Sequence, residues 1–92
     1  TLMSKNLSVY HIDKSGLFNH ESYSAQSHRH FKSVRAAITD YVFEGEDAGY
    51  HPNSFFTADS YLKVNPDLKR WKGNLFGHFL LHGIRHKGRA MR

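Results

Sequence analysis

The chain has 92 residues, 39% hydrophobic and 14% aromatic, enough for one small domain and too little for two independent cores. It has no cysteine, which excludes a disulfide scaffold, a thiolate zinc site and a cysteine nucleophile; no apolar run exceeds the length of Phe79-Leu80-Leu81, too short for a membrane span or a signal-peptide core. The net charge of +5 is unevenly placed: residues 1–59 carry five Lys/Arg and seven Asp/Glu (−2), and residues 60–92 carry eight Lys/Arg against Asp67 alone (+7).

In chain order, residues 1–14 read as a leader, with Leu7-Ser8-Val9-Tyr10 expected as a short extended piece. Thr at position 1 suggests a processed or excised piece of something longer. From residue 15 the chain repeats itself at an offset of 38: Phe18 pairs with Phe56, Ser22 with Ser60, Tyr23 with Tyr61 and Gly45 with Gly83. Apolar positions such as Ile38 and Phe76, or Tyr41 and Phe79, fall in the same register. The expectation is an all-α fold of two tandem three-helix repeats of about 38 residues, a degenerate copy at 15–52 and a better-punctuated copy at 53–92, each burying its apolar face on the other.

In the first copy Asn19 caps a helix through Glu21-Ser22-Tyr23, and His28 stands where the second copy has proline. Ser33 precedes a helix from Val34 to Phe43 that Gly45 closes, leaving Glu44, Glu46 and Asp47 as a solvated acidic loop. In the second copy Thr57 caps a helix through Val64, and Asn65-Pro66-Asp67 stops it. A short helix from Pro66 to about Trp71 follows, with Trp71 turned inward. Lys72-Gly73 turns the chain, Asn74 caps a helix over Leu75–His82 with Leu75, Phe76, Phe79 and Leu80 on one stripe, and Gly83 is expected in the left-handed conformation beyond its end.

Eight histidines raise the question of a metal. His78 and His82 stand four apart on the third helix, but their counterparts in the first copy are Asp40 and Glu44, and no cysteine or carboxylate joins them. No metal, cofactor or catalytic residue is therefore assigned. The basic residues Lys69, Arg70, Lys72, Arg85, Lys87 and Arg89 are the candidate anion-binding set. Trp71 among Lys69, Arg70 and Lys72 is also compatible with stacking on bases.

The stretch Phe56-Thr57-Ala58-Asp59-Ser60-Tyr61-Leu62-Lys63-Val64-Asn65-Pro66-Asp67-Leu68, followed by His78-Phe79-Leu80-Leu81-His82-Gly83 and Gly88-Arg89, resembles a helical repeat module of bacterial glycosyltransferases that build cell-surface polysaccharides, rhamnan-synthesis-type proteins among them. It departs from that pattern at Ser60 (Tyr in the family), Asn74 (Pro) and Lys87 (Glu), and the first copy lacks Asn-Pro-Asp. The resemblance implies structural roles for Phe56, Tyr61, Asn65, Pro66, Asp67, His78, Phe79 and Gly83, and carries over no catalytic residue. It also implies a non-catalytic accessory module that is cytoplasmic and peripheral to the inner membrane. Its expected partners are neighbouring glycosyltransferase domains and an acidic polysaccharide or anionic membrane surface. The alternatives are a free-standing basic nucleic-acid-binding protein and a protein-interaction scaffold.

Overall fold

The computed structural model describes residues 2–71 and 73–83, and every regular element among them is helical. Helix α1 spans Leu2–Ser15, α2 His20–Ser27 and α3 Val34–Asp40, which runs on into a π turn at Tyr41–Gly45. After a connection at 46–57 come α4 (Ala58–Val64), a 3-10 turn at Pro66–Leu68, and α5 (Leu75–His78) with its own π turn at Phe79–Gly83. No described helix is long and apolar enough to cross a membrane.

Three expected caps form. Asn19 Oδ1 accepts from Ser22 N at 2.9 Å, Thr57 Oγ1 from Ser60 N at 3.1 Å and Asn74 Oδ1 from Gly77 N at 2.8 Å, each satisfying an orphan donor of the first turn. Helix α2 ends on His28 in the left-handed region (φ 57°), whereas α4 ends at Asn65 before Pro66.

Contacts recur at the 38-residue offset. Phe18 and Tyr23 have ring centroids 5.3 Å apart, as do Phe56 and Tyr61; Tyr23–Tyr41 at 5.9 Å matches Tyr61–Phe79 at 5.8 Å. Each tyrosine is fully buried and sends its hydroxyl to the residue seventeen positions on. Tyr23 donates to Asp40 Oδ2 at 2.6 Å, and the Tyr61 hydroxyl hydrogen-bonds with His78 Nδ1 at 3.0 Å. Ser27 and Asn65 donate back to the Tyr23 and Tyr61 carbonyls, both at 3.0 Å. These rings share one continuous core with Val9, Ile12, Ile38 and Phe76. The aromatic residues supply the large buried areas that so short a chain requires.

The structure corrects several local expectations. Residues 7–10 are not extended but the middle of α1, which packs on α3, on α5 and on both π turns. Its helical form rests on burying Val9 and Ile12, since Met3, Leu7 and Tyr10 face solvent. The helix ends before Gly16, whose φ of 70° is the left-handed geometry that glycine adopts without strain. The expected helix from Pro66 to Trp71 shortens to the 3-10 turn, and Trp71 is 44% exposed rather than turned into the core. Gly45 does not close its helix in the left-handed region. It lies within the π turn, and helical geometry continues into Glu46. The expected conformation of Gly83 concerns the last described residue, and Lys72 and residues 84–92 lie outside those described.

Gly45 serves space rather than conformational freedom. A Cβ there would collide with the Tyr23 hydroxyl and ring, the group that bonds Asp40. Gly45→Ala should therefore destabilise the fold by about 1–3 kcal/mol despite alanine's better helix propensity. A thermal or urea unfolding curve checks this, and an unchanged midpoint would remove the close approach as a constraint.

Candidate functional site

The basic residues divide by half. In the first half both arginines are neutralised internally: Arg29 Nη1 donates to Asp40 Oδ1 at 2.7 Å and Arg35 Nη1 to Asp13 Oδ2 at 2.9 Å. Arg29 also lies over the Phe31 ring, 5.1 Å from its centroid. In the second half Lys63 reaches Asp59 only at 3.8 Å, across an exposed helix turn. Lys69 and Arg70, on the turn after Leu68, are exposed and meet no carboxylate among the described residues. Of the six candidate anion-binding residues these two are placed side by side; Lys72, Arg85, Lys87 and Arg89 lie outside the described residues.

Next to them stands Trp71, which is exposed but held. His78 meets the indole edge-on, with centroids 4.8 Å apart and planes at 77°. Gly73 lies so close that a Cβ there would come within 3.0 Å of the indole Nε1. Bordered by the indole, a cleft of about 120 Å³ opens between α1 and α5, with Ser4, Leu7, Ser8 and His11 on the α1 wall and His78 and His82 on the α5 side. Trp71 also borders a wider cleft of about 330 Å³, together with Lys5, Lys69, Glu46 and Asp47. The narrow cleft exists because α1 and α5 meet through small residues: a Cβ on Gly77 would run into Ser8.

His78 and His82 do sit ring to ring, with centroids 4.9 Å apart. His78 Nδ1 is engaged by Tyr61, and no three His, Asp or Glu side chains among the described residues are arranged to hold a metal. Of the residues singled out as structural, Phe56, Tyr61, Asn65, His78 and Phe79 are buried, Pro66 opens the 3-10 turn, and Asp67 is exposed beside it.

Glu46 is the group whose role the sequence concealed. It is not part of a solvated loop: its Oε2 accepts from Leu75 N at 2.9 Å, Asn74 Nδ2 at 3.0 Å and the Tyr41 hydroxyl at 3.4 Å. The carboxylate thus caps α5 from the end of the other half, where the helix dipole favours a negative charge. Burial nevertheless pushes its pKa up to about 7 from 4.5, against the lowering effect of the backbone N–H bonds and with a smaller upward push from Asp47. Burial is also the main reason that the Tyr23 and Tyr41 hydroxyls ionise only well above the ordinary tyrosine range, with Asp40 and Glu46 as their respective anionic neighbours.

No protein-family model, curated protein or solved structure matches this chain.

The Glu46 carboxyl binds its proton more tightly in the folded than in the unfolded chain, so its contribution is fully present below about pH 4.5 and is lost as pH rises through 7. The full span amounts to about 3 kcal/mol. Glu46→Gln keeps an acceptor for Leu75 N but does not titrate. The stability of the variant relative to the parent should therefore rise between pH 5 and 8, as read by urea unfolding, with the histidines contributing equally to both. Parallel pH profiles would show that Glu46 titrates normally.

Proposed function

We propose that this chain is a non-catalytic interaction module that holds an anionic glycan against its basic second half. The wider reading is an accessory segment of a bacterial glycosyltransferase building cell-surface polysaccharide. That context is supported by the residue pattern from Phe56 to Arg89 and by nothing else. The binding role is carried by one observation. The first half consumes its arginines in ion pairs with Asp40 and Asp13, whereas Lys69 and Arg70 stand exposed on a half whose balance is +7. Unpaired cations at the surface keep their full long-range attraction for a polyanion, and releasing that polymer's counterions makes the binding salt-sensitive. Arg29 and Arg35 are each already countered by a carboxylate of the chain itself.

A second reading, single-stranded nucleic acid, is favoured by Trp71. It is exposed rather than in the core and adjoins Arg70, a combination suited to stacking on a base beside a phosphate.

Lys69→Ala/Arg70→Ala should weaken binding to a glucuronate-rich polysaccharide roughly tenfold at low salt and flatten its salt dependence, with an unchanged melting temperature. Affinity electrophoresis over a salt series reads both effects. Undiminished binding by the double variant would refute the basic face, and preferential binding of a single-stranded oligonucleotide would transfer the role to nucleic acid.

A further inference from the structure

We infer that Trp71 is the stacking platform of a site that takes a short sugar chain, laid across the two clefts that the indole borders. The inference rests on the glycan reading above and supplies the site that the basic face alone does not define.

An exposed tryptophan by itself means little. Here three features coincide with it. The indole is held in place rather than free to swing: His78 packs against its edge and Gly73 lies under its Nε1. It is also a ridge, since Trp71 and Gly73 border both the 120 Å³ cleft and the 330 Å³ cleft. A ligand lying across the indole would occupy both. Finally, the two clefts are mixed in character. The narrow one offers the hydroxyl-bearing Ser4 and Ser8 and the imidazoles of His11 and His82 beside the apolar Leu7 and Leu81. The wide one brings Lys5 and Lys69 together with Glu46 and Asp47.

That mixture selects among ligands. A sugar ring has an apolar C–H face, which the electron-rich face of an indole attracts, and a rim of hydroxyls that both donate and accept. The serine hydroxyls, imidazoles, lysines and carboxylates along the two clefts suit such a rim. A purely hydrocarbon ligand such as an acyl chain fits less well, because it offers this polar lining no hydrogen bond.

The test titrates the intact chain with a neutral rhamnose-containing tetrasaccharide, a glucuronate-containing tetrasaccharide and a single-stranded oligothymidine, following the emission of the sole tryptophan and the heat of binding. The expected result is a shift in Trp71 emission with both saccharides. Trp71→Ala should lose about tenfold or more in affinity for each, comparable to the loss of one stacked ring, and Trp71→Phe should fall between, with melting temperatures unchanged. Arg70→Ala, which borders neither cleft, should weaken only the acidic saccharide. If Trp71→Ala binds the saccharides like the parent, the cleft is refuted and the basic face stands. If Trp71→Ala loses both while Arg70→Ala changes nothing, the cleft stands and the basic face fails. Binding of oligothymidine alone, or of none of the three probes, overturns the inference.

Discussion

The structure turns on one carboxylate. Glu46 leaves the end of the first half and accepts hydrogen bonds from Tyr41 behind it and from Asn74 and Leu75 ahead of it. Without that acceptor the amide of Leu75 would stay unpaired at a partly buried helix start, a cost of about 1–3 kcal/mol. In so small a domain that is a large share of the total stability. The same geometry sets the relative position of the halves, because it ties the π turn after α3 to the first residues of α5. Helix α1 then lies against both halves, packing on α3, α5 and the two π turns, and its placement follows from theirs.

Around this tie, polar groups are used to fix register rather than to face solvent. Asn53 is buried in the connection between the halves, where it donates to Leu17 O at 2.7 Å and accepts from Phe55 N and Phe56 N at 3.0 and 2.9 Å. Gln26 and the backbone of His51 exchange two hydrogen bonds at 2.8 and 3.0 Å. The connection is therefore part of the packed structure. The buried Tyr23 and Tyr61 hydroxyls illustrate how the two halves diverge chemically at one geometry. Tyr23 meets a carboxylate that is also paired with Arg29, whereas Tyr61 meets an imidazole. An imidazole thus stands where the other half has a carboxylate, without disturbing the aromatic core.

Much of this was legible in the sequence because it is local. Helix caps at Asn19, Thr57 and Asn74 depend on residues three positions apart, and the proline stop at Pro66 on one neighbour, so periodicity and punctuation place them. Phe18 and Tyr23 stand 38 residues before Phe56 and Tyr61, and the two ring pairs make equivalent contacts. What escaped depends on contacts between distant segments. Leu7–Tyr10 lacks a helical pattern of apolar residues, and one surface it packs on, Gly77 beside Ser8, is some seventy positions away. Gly16 was the one local sign that a helix precedes it. Glu46 looked like one acid among three, because the Asn74 and Leu75 donors that bury it lie nearly thirty residues on. Helical spacing places Trp71 inward, but the chain leaves the 3-10 turn after Leu68 and that spacing no longer applies.

The exposed tryptophan is then a consequence of the way the helices meet. Helix α1 can approach α5 only because Gly77 and Ser8 are small, and Gly73 is small where the indole crosses it. Small residues at such a junction shorten the distance between backbones but leave open volume at its margin, which is where the narrow cleft lies. Packing and recognition are consequently inseparable at Ser8 and Gly77: a bulkier side chain at either position would both drive the helices apart and fill the cleft. At Trp71 they separate. The indole is nearly half exposed, so the core loses little with it, while the ridge between the two clefts loses its flat apolar surface. A side chain that the fold hardly needs, but that two neighbouring residues hold in a defined orientation, is better explained by what it meets outside the chain than by what it supports within.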